Sequence, residues 1–239
     1  MIPKIIHYCW FGSGEMPQLA KDCIASWHEY MPNWEYRLWS ENNFDVNAHA
    51  YTKEAYEAGK YAFVSDYVRL WALEREGGLY LDTDVLAFRS FEDLLGYKAF
   101  AGFEGIKHLP VGTCVMASEP HGEWVSEMLD AYHDRHFINP DGGYDMRTNV
   151  QFITAIMASN GFRQDGLEQD YRDLHVLPVE YFSPRHTTGE YVRTENTYSE
   201  HKGMASWSDS ALGWKHRLLR LFGKRNSIRI IKLKRKIFG

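Results

Sequence analysis

The residues best suited to chemistry in this chain lie in the run Leu79-Tyr80-Leu81-Asp82-Thr83-Asp84-Val85. In an extended backbone side chains alternate faces, so Tyr80, Asp82 and Asp84 share one face and Leu79 and Leu81 pack on the other. Two carboxylates on one face at a strand end repel each other unless a cation joins them. Oxygen ligands of this kind suit Mg²⁺ or Mn²⁺, which are usually shared with substrate phosphates. An isolated Asp-x-Asp is also common in solvated turns. Here an apolar strand and a Gly77-Gly78 turn precede it, which argues for a built site.

Three further features could join it. Asp66 and Arg69 stand at i, i+3 on a helix and can touch. A surface pair of that kind contributes little, but these two flank the apolar stripe of a helix that leads directly to Asp82. Trp10 follows an apolar run, at the strand end where ligands bind in an open α/β sheet, and its ring could stack a base rather than only pack the core. His201 stands five residues before Ser206-Trp207 and could complete a metal site, although a single His in a polar loop is also an ordinary solvated side chain.

The elements that must position these residues can be read from periodicity. Ile2 to Phe11 is a strand closed by Gly12-Ser13-Gly14. Leu19, Cys23, Ile24 and Trp27 form one helical stripe, and Glu35 to Trp39 a second strand, giving the opening of a βαβ sheet. Phe63, Tyr67, Leu70 and Trp71 predict a helix over 60–76, capped by Gly77-Gly78 and followed at once by a strand at Leu79. Further strands are predicted at 99–103, 111–117 and 174–177, and helices around 124–132 and 148–159. The polar stretch 182–209 reads as irregular and functional.

Composition narrows the class. The chain has 239 residues, 44% hydrophobic and 25% charged, with a net charge of −5. Disorder, collagen and coiled coil are poor readings of such values. Ahead of Lys215 stand 17 Lys and Arg against 32 Asp and Glu; from Lys215 to Gly239 there are ten cations and no acid. The expected division is therefore a folded body over 1–214 and a basic amphipathic tail over 215–239 for an anionic surface, with no nucleic acid as partner. Cys9, Cys23 and Cys114 are few and widely spaced, and read as buried reduced thiols. No apolar run is long enough to span a bilayer and the start does not read as a signal peptide, so a cytoplasmic protein is expected, peripheral on the inner face of the plasma membrane through its tail.

Taken in order, these motifs resemble one family. Pro3-Lys4-Ile5-Ile6-His7-Tyr8-Cys9-Trp10-Phe11-Gly12, the helix Tyr61 to Leu70 with Ser65-Asp66 and Arg69, and Gly77-Gly78-Leu79-Tyr80-Leu81-Asp82-Thr83-Asp84 look like the DxD sugar transferases. That family includes initiating α-1,6-mannosyltransferases, bacterial capsule-synthesis enzymes and, more distantly, clostridial glucosylating toxins. His201 to Ser206-Trp207 is similar to its late His-to-Ser-Trp element. The resemblance implies an α/β GT-A fold, a Rossmann-like nucleotide-sugar-binding sandwich, here with a C-terminal basic helical extension. It implies a nucleotide-sugar donor, UDP-sugar favoured over GDP-mannose, a Mn²⁺ or Mg²⁺ ion, and hexose transfer with retention to a glycan acceptor; membrane placement through the tail would suit a lipid-linked one. Capsule, exopolysaccharide or lipopolysaccharide synthesis in a bacterium is the expected setting.

Carried onto this sequence, Trp10 stacks the base and Asp66 and Arg69 hold the donor sugar. Asp82 contacts ribose or metal, Asp84 ligates the metal, and His201 approaches metal or diphosphate, with Trp207 closing over it. Where the family often has Gly-Pro this chain has Asn149-Val150-Gln151, so no role for Asn149 or Gln151 follows. Two other readings differ in class: a phosphohydrolase with Asp82 as nucleophile and Asp84 as general acid, and a non-catalytic peripheral membrane binding protein.

Overall fold

The structure is a computed structural model and describes residues 1–105, 110–184, 191 and 193–203. The basic tail and Trp207 lie outside the described residues. In chain order the elements are β1 (Ile5–Cys9), α1 (Gln18–Tyr30), β2 (Glu35–Trp39), α2 (Ala50–Glu57), α3 (Tyr61–Glu76), β3 (Gly78–Leu81), β4 (Val85–Ala87), β5 (Ala99–Phe103), β6 (Val111–Ser118), α4 (Glu123–Asp130), α5 (Asn149–Ser159), β7 (Gln169–Tyr171), β8 (Leu174–Leu177) and β9 (Ser199–His201).

Seven strands form one sheet in the order β2-β1-β3-β6-β5-β8-β7, and β4 pairs with β9 in a separate ribbon. β1 lies parallel to β2 and to β3, as the βαβ opening predicts. β6 is antiparallel to both β3 and β5, so β1, β3 and β5 all run the same way. Their carboxyl ends therefore open on one edge of the sheet, at Trp10, Asp82 and Glu104. This edge is where an open α/β sheet binds ligands.

Two apolar layers sandwich the sheet. Tyr80 and Met116 face one, with Phe63 and Leu70 of α3, Trp124 of α4 and Ile153 of α5. Leu79 and Leu81 face the other, with Trp27 of α1, Phe91 and Phe182. The period-2 reading of β3 is thus realised: Tyr80 on one side, the two leucines on the other. Many of the aromatic rings of the chain pack in these layers.

The passage from α3 to β3 depends on glycine. Gly77 caps the helix at φ 63°, and a Cβ there would stand 2.6 Å from Pro120 Cδ and 2.8 Å from the Ser118 carbonyl oxygen. A side chain is excluded by backbone conformation and by space together. The chain can then turn sharply enough for β3 to enter the sheet beside β1. His7 of β1 secures the same turn: its Nε2 donates to the Gly77 carbonyl at 2.8 Å, while its Nδ1 accepts from Trp39 Nε1 at 3.1 Å. Burial pushes the His7 pKa down to about 4, so the imidazole stays neutral in that tautomer.

Candidate active site

The strand that delivers the acidic pair ends at Leu81, and Asp82 to Val85 is a turn rather than a continued strand. The Val85 amide donates to the Asp82 carbonyl at 3.0 Å. The extended-chain expectation holds for Tyr80 and Asp82, whose side chains meet: the Tyr80 hydroxyl donates to Asp82 Oδ1 at 3.0 Å. Asp84 reaches the same space by the turn. It is buried, and the chain then continues directly into β4.

That short strand does something sequence periodicity missed. β4 pairs antiparallel with β9, with Val85 opposite His201. The polar stretch 182–209 thus contains a strand, and its register sets His201 Nε2 3.2 Å from Asp84 Oδ1. Asp82, Asp84 and His201 each offer a ligand atom, and the three atoms lie within 4.8 Å of one another. Two carboxylates and an imidazole form a donor set that fits Mn²⁺ or Mg²⁺. Burial works against a charged His201, but the neighbouring Cys114 sulfur and Asp84 carboxylate outweigh it and hold its pKa well above the ordinary value.

α3 contributes Asp66 and Arg69 from its buried face, not from its surface. The Arg69 guanidinium is a hub. It bonds Asp66 Oδ1 at 2.9 Å, the Thr113 carbonyl at 2.6 Å and the Ser65 carbonyl at 3.3 Å, and approaches Asp82 Oδ1 to 3.2 Å. It also lies over the Tyr80 ring, 4.6 Å from its centroid. One cation so buried between two carboxylates sits in a geometry that only a planar fork satisfies.

Asp66 is tied from a second side. Its Oδ2 accepts the Asn149 amide at 3.0 Å, at the amino end of α5, and its carbonyl accepts from Asn149 Nδ2 at 3.1 Å. A helix amino terminus favours a carboxylate there. Burial nevertheless raises the Asp66 pKa to about 6, against the opposing pull of Arg69. Asn149 therefore clamps Asp66 to α5. Gln151 closes a capping box with Thr148, accepting from the Thr148 amide at 3.1 Å, which gives its side chain a structural task.

All of these groups line one cleft of about 950 Å³: Trp10, Asp66, Arg69, Asp82, Asp84, His201, Asn149 and Gln151. Of the site residues singled out by sequence, only Trp207 is not placed, since it lies outside the described residues. Trp10 stands half-buried at the mouth, its Nε1 donating to the Gly14 carbonyl at 2.6 Å. Beside it the Tyr61 ring fits against Gly12, where φ is 86° and a Cβ would fall 2.4 Å from the ring.

Sequence reasoning missed two wall residues, Glu104 and Cys114. Glu104 follows β5 just as Trp10 follows β1 and Asp82 follows β3, so the strand-end rule that found those two could have found it. Burial raises the Glu104 carboxyl pKa. All three cysteines are free and buried, as expected.

The arrangement defines a class. A mixed α/β sheet presents a ring, a buried Asp–Arg pair and an acidic cation set along one strand-end edge, in the GT-A fold. Residues 17–101 match the model of the family described as the glycosyltransferase sugar-binding region containing a DXD motif. Among curated proteins it is similar to inositol phosphoceramide mannosyltransferase 3 of Schizosaccharomyces pombe, 33% identical over 103 residues, covering 41% of this chain and 29% of that protein. It is also similar to mannosyl phosphorylinositol ceramide synthase SUR1 of Saccharomyces cerevisiae, 28% identical over 166 residues, covering 65% of this chain and 42% of that protein. The chain thus spans less than half the length of either relative. Among solved structures it resembles PaToxG glycosyltransferase, with a TM-score of 0.51 and 16% identity, covering 67% of this chain and 70% of that one. That likeness concerns the fold.

Proposed function

We propose that the chain is a metal-dependent, retaining glycosyltransferase that moves a hexose from a nucleotide-sugar donor to a glycan acceptor. The observation that carries this reading is the convergence of Asp82, Asp84 and His201, from a turn and a distant strand, in the cleft that also holds Trp10 and the buried Asp66–Arg69 pair.

In this reading Trp10 stacks the base at the cleft mouth. Asp82, Asp84 and His201 would hold a divalent cation. Such an ion neutralises the charge that develops on a departing nucleoside diphosphate. Asp66 and Arg69, immobilised by Asn149, Thr113 and Tyr80, orient the sugar hydroxyls so that the anomeric carbon faces the acceptor. The acceptor hydroxyl attacks from the face the diphosphate leaves and gives its proton to a diphosphate oxygen. Trp207 is assigned to closing over the diphosphate.

UDP-hexoses lead the donor candidates, and the mannosyl transfer named in the relatives adds GDP-mannose. Within the same reading the body ends near residue 214. The tail 215–239 then holds the enzyme on an anionic membrane at the cytoplasmic face, near a lipid-linked acceptor in bacterial capsule, exopolysaccharide or lipopolysaccharide synthesis. Its ten cations against no acid support this.

The test is hydrolysis of a nucleotide-sugar panel by the purified protein, with Mn²⁺ and with chelator. Slow, metal-dependent release of nucleoside diphosphate from one donor is expected. Absence of both release and nucleotide binding across the panel would overturn the reading.

A further inference from the structure

The cleft contains a second cluster of ligating side chains, different in chemistry from the first. Glu104, at the end of β5, faces Cys114 of the neighbouring β6, and His201 of β9 stands against both. One ligand atom from each lies within 4.8 Å of the others. From this geometry we propose that Glu104, Cys114 and His201 form a second cation site, for a thiophilic divalent ion of the Zn²⁺ class. This site shares His201 with the Asp82–Asp84 set, so the two are filled alternately.

The donor set sets the selectivity. One thiolate, one imidazole and one carboxylate match the sulfur, nitrogen and oxygen ligands of tetrahedral zinc, and a protein that supplies three ligands leaves a fourth position open. Thiolate discriminates against Mg²⁺ and Mn²⁺, for which the two aspartates are better partners. Bonds of about 2.0 to 2.3 Å hold tetrahedral ligand atoms roughly 3.3 to 3.8 Å apart, so shifts of about 1 Å in the side chains close the set.

The surroundings support it. All three residues line the cleft, so an ion reaches them by the same opening. Among the described residues no hydrogen bond or ion pair falls on the Glu104 carboxylate. The Cys114 sulfur has only a long polar contact, 3.7 Å, to Ser183 Oγ beside its approach to His201. The backbone of Cys114 is fixed, because its carbonyl accepts the Asp82 amide at 2.9 Å.

Exclusion between the sites follows from the imidazole. A neutral ring has one lone pair to give, so His201 serves one ion at a time. An ion drawn to Cys114 takes His201 away from Asp84, now 3.2 Å distant, and leaves the aspartates as an incomplete set. Zinc therefore acts against the Mn²⁺ or Mg²⁺ form of the cleft.

Cobalt(II) titrated into the full chain tests the proposal without any donor or acceptor. The wild type is expected to develop a sulfur-to-cobalt charge-transfer band that one equivalent of Zn²⁺ bleaches. Cys114→Ser should lose the band, while Cys9→Ser and Cys23→Ser keep it. Glu104→Gln should weaken cobalt binding at least tenfold with the far-ultraviolet circular dichroism unchanged. Asp84→Asn should retain the band, which separates this site from the acidic pair. The proposal fails if the wild type shows no band, if the band survives in Cys114→Ser, if Glu104→Gln binds cobalt as tightly as wild type, or if Asp84→Asn abolishes it. A failed donor panel with an intact cobalt band would instead overturn the transferase reading alone.

Discussion

At the scale of single residues, the decisive groups are those whose charge is buried. Asp84 lines the cleft opposite His201. Asp84→Ala is expected to lower metal-dependent donor turnover at least a hundredfold while thermal unfolding stays within a few degrees of wild type. Unchanged turnover would remove the metal assignment. Arg69 behaves differently, because it serves stability and binding at once. Its side chain is 6% exposed and faces Asp66 and Asp82 together. Arg69→Ala leaves two carboxylates without their common cation and should cost about 3 to 5 kcal/mol in urea denaturation. Adding Asp66→Asn should recover part of that loss. Arg69→Lys should fold yet bind donor poorly, because an ammonium cannot span Asp66, Asp82 and the Thr113 carbonyl in one plane.

At the scale of elements, the site depends on how β1, α3 and β3 are locked, and His7 is the pin. It is fully buried and neutral, bridging Trp39 of β2 to the Gly77 turn. Its folded pKa of about 4 lies below the unfolded value of 6.5. As pH falls below 6.5 the unfolded chain takes up a proton that the folded chain refuses until about pH 4. The resulting stability is present above pH 6.5 and is lost on the way down, by about 3 kcal/mol. Urea midpoints measured from pH 7 to pH 4 should show that slope. His7→Leu should be less stable at pH 7, because the Gly77 carbonyl and Trp39 indole lose their partner, and should show a shallower acid slope. An equal slope in His7→Leu would place the acid sensitivity elsewhere.

At the scale of the whole molecule, charge is divided rather than mixed. The proposed membrane association rests on ten cations and no acid from Lys215 to Gly239, each cation near an anionic membrane contributing about 1 kcal/mol. Removing residues 215–239 should abolish co-sedimentation with vesicles containing anionic phospholipid, and raising the salt should weaken binding of the intact chain. Equal sedimentation with and without the segment would sink the membrane reading. The sheet order matters at this scale too. Because β1, β3 and β5 run together, Trp10, the acidic pair and Glu104 come to one edge of the sheet.

The sequence alone determined most of what is local. Helix α3, its glycine stop, the strands β2 and β5 and the start of α5 follow from periodicity and capping, because their apolar spacing and turn residues act over a few positions. Trp10, Asp66, Arg69 and the Asp82–Asp84 pair were legible for the same reason: each sits at a strand end or beside an apolar stripe. The tertiary structure decided what joins distant segments. Strand β9 is three residues long inside a polar stretch, too short for any period to register, and only its pairing with β4 brings His201 to Asp84. The helix amino terminus that clamps Asp66 lies 83 positions away in the chain. Cys114 became a wall residue only when β6 closed beside β3. These contacts depend on sheet order and register, which are settled by packing between segments that share no local pattern.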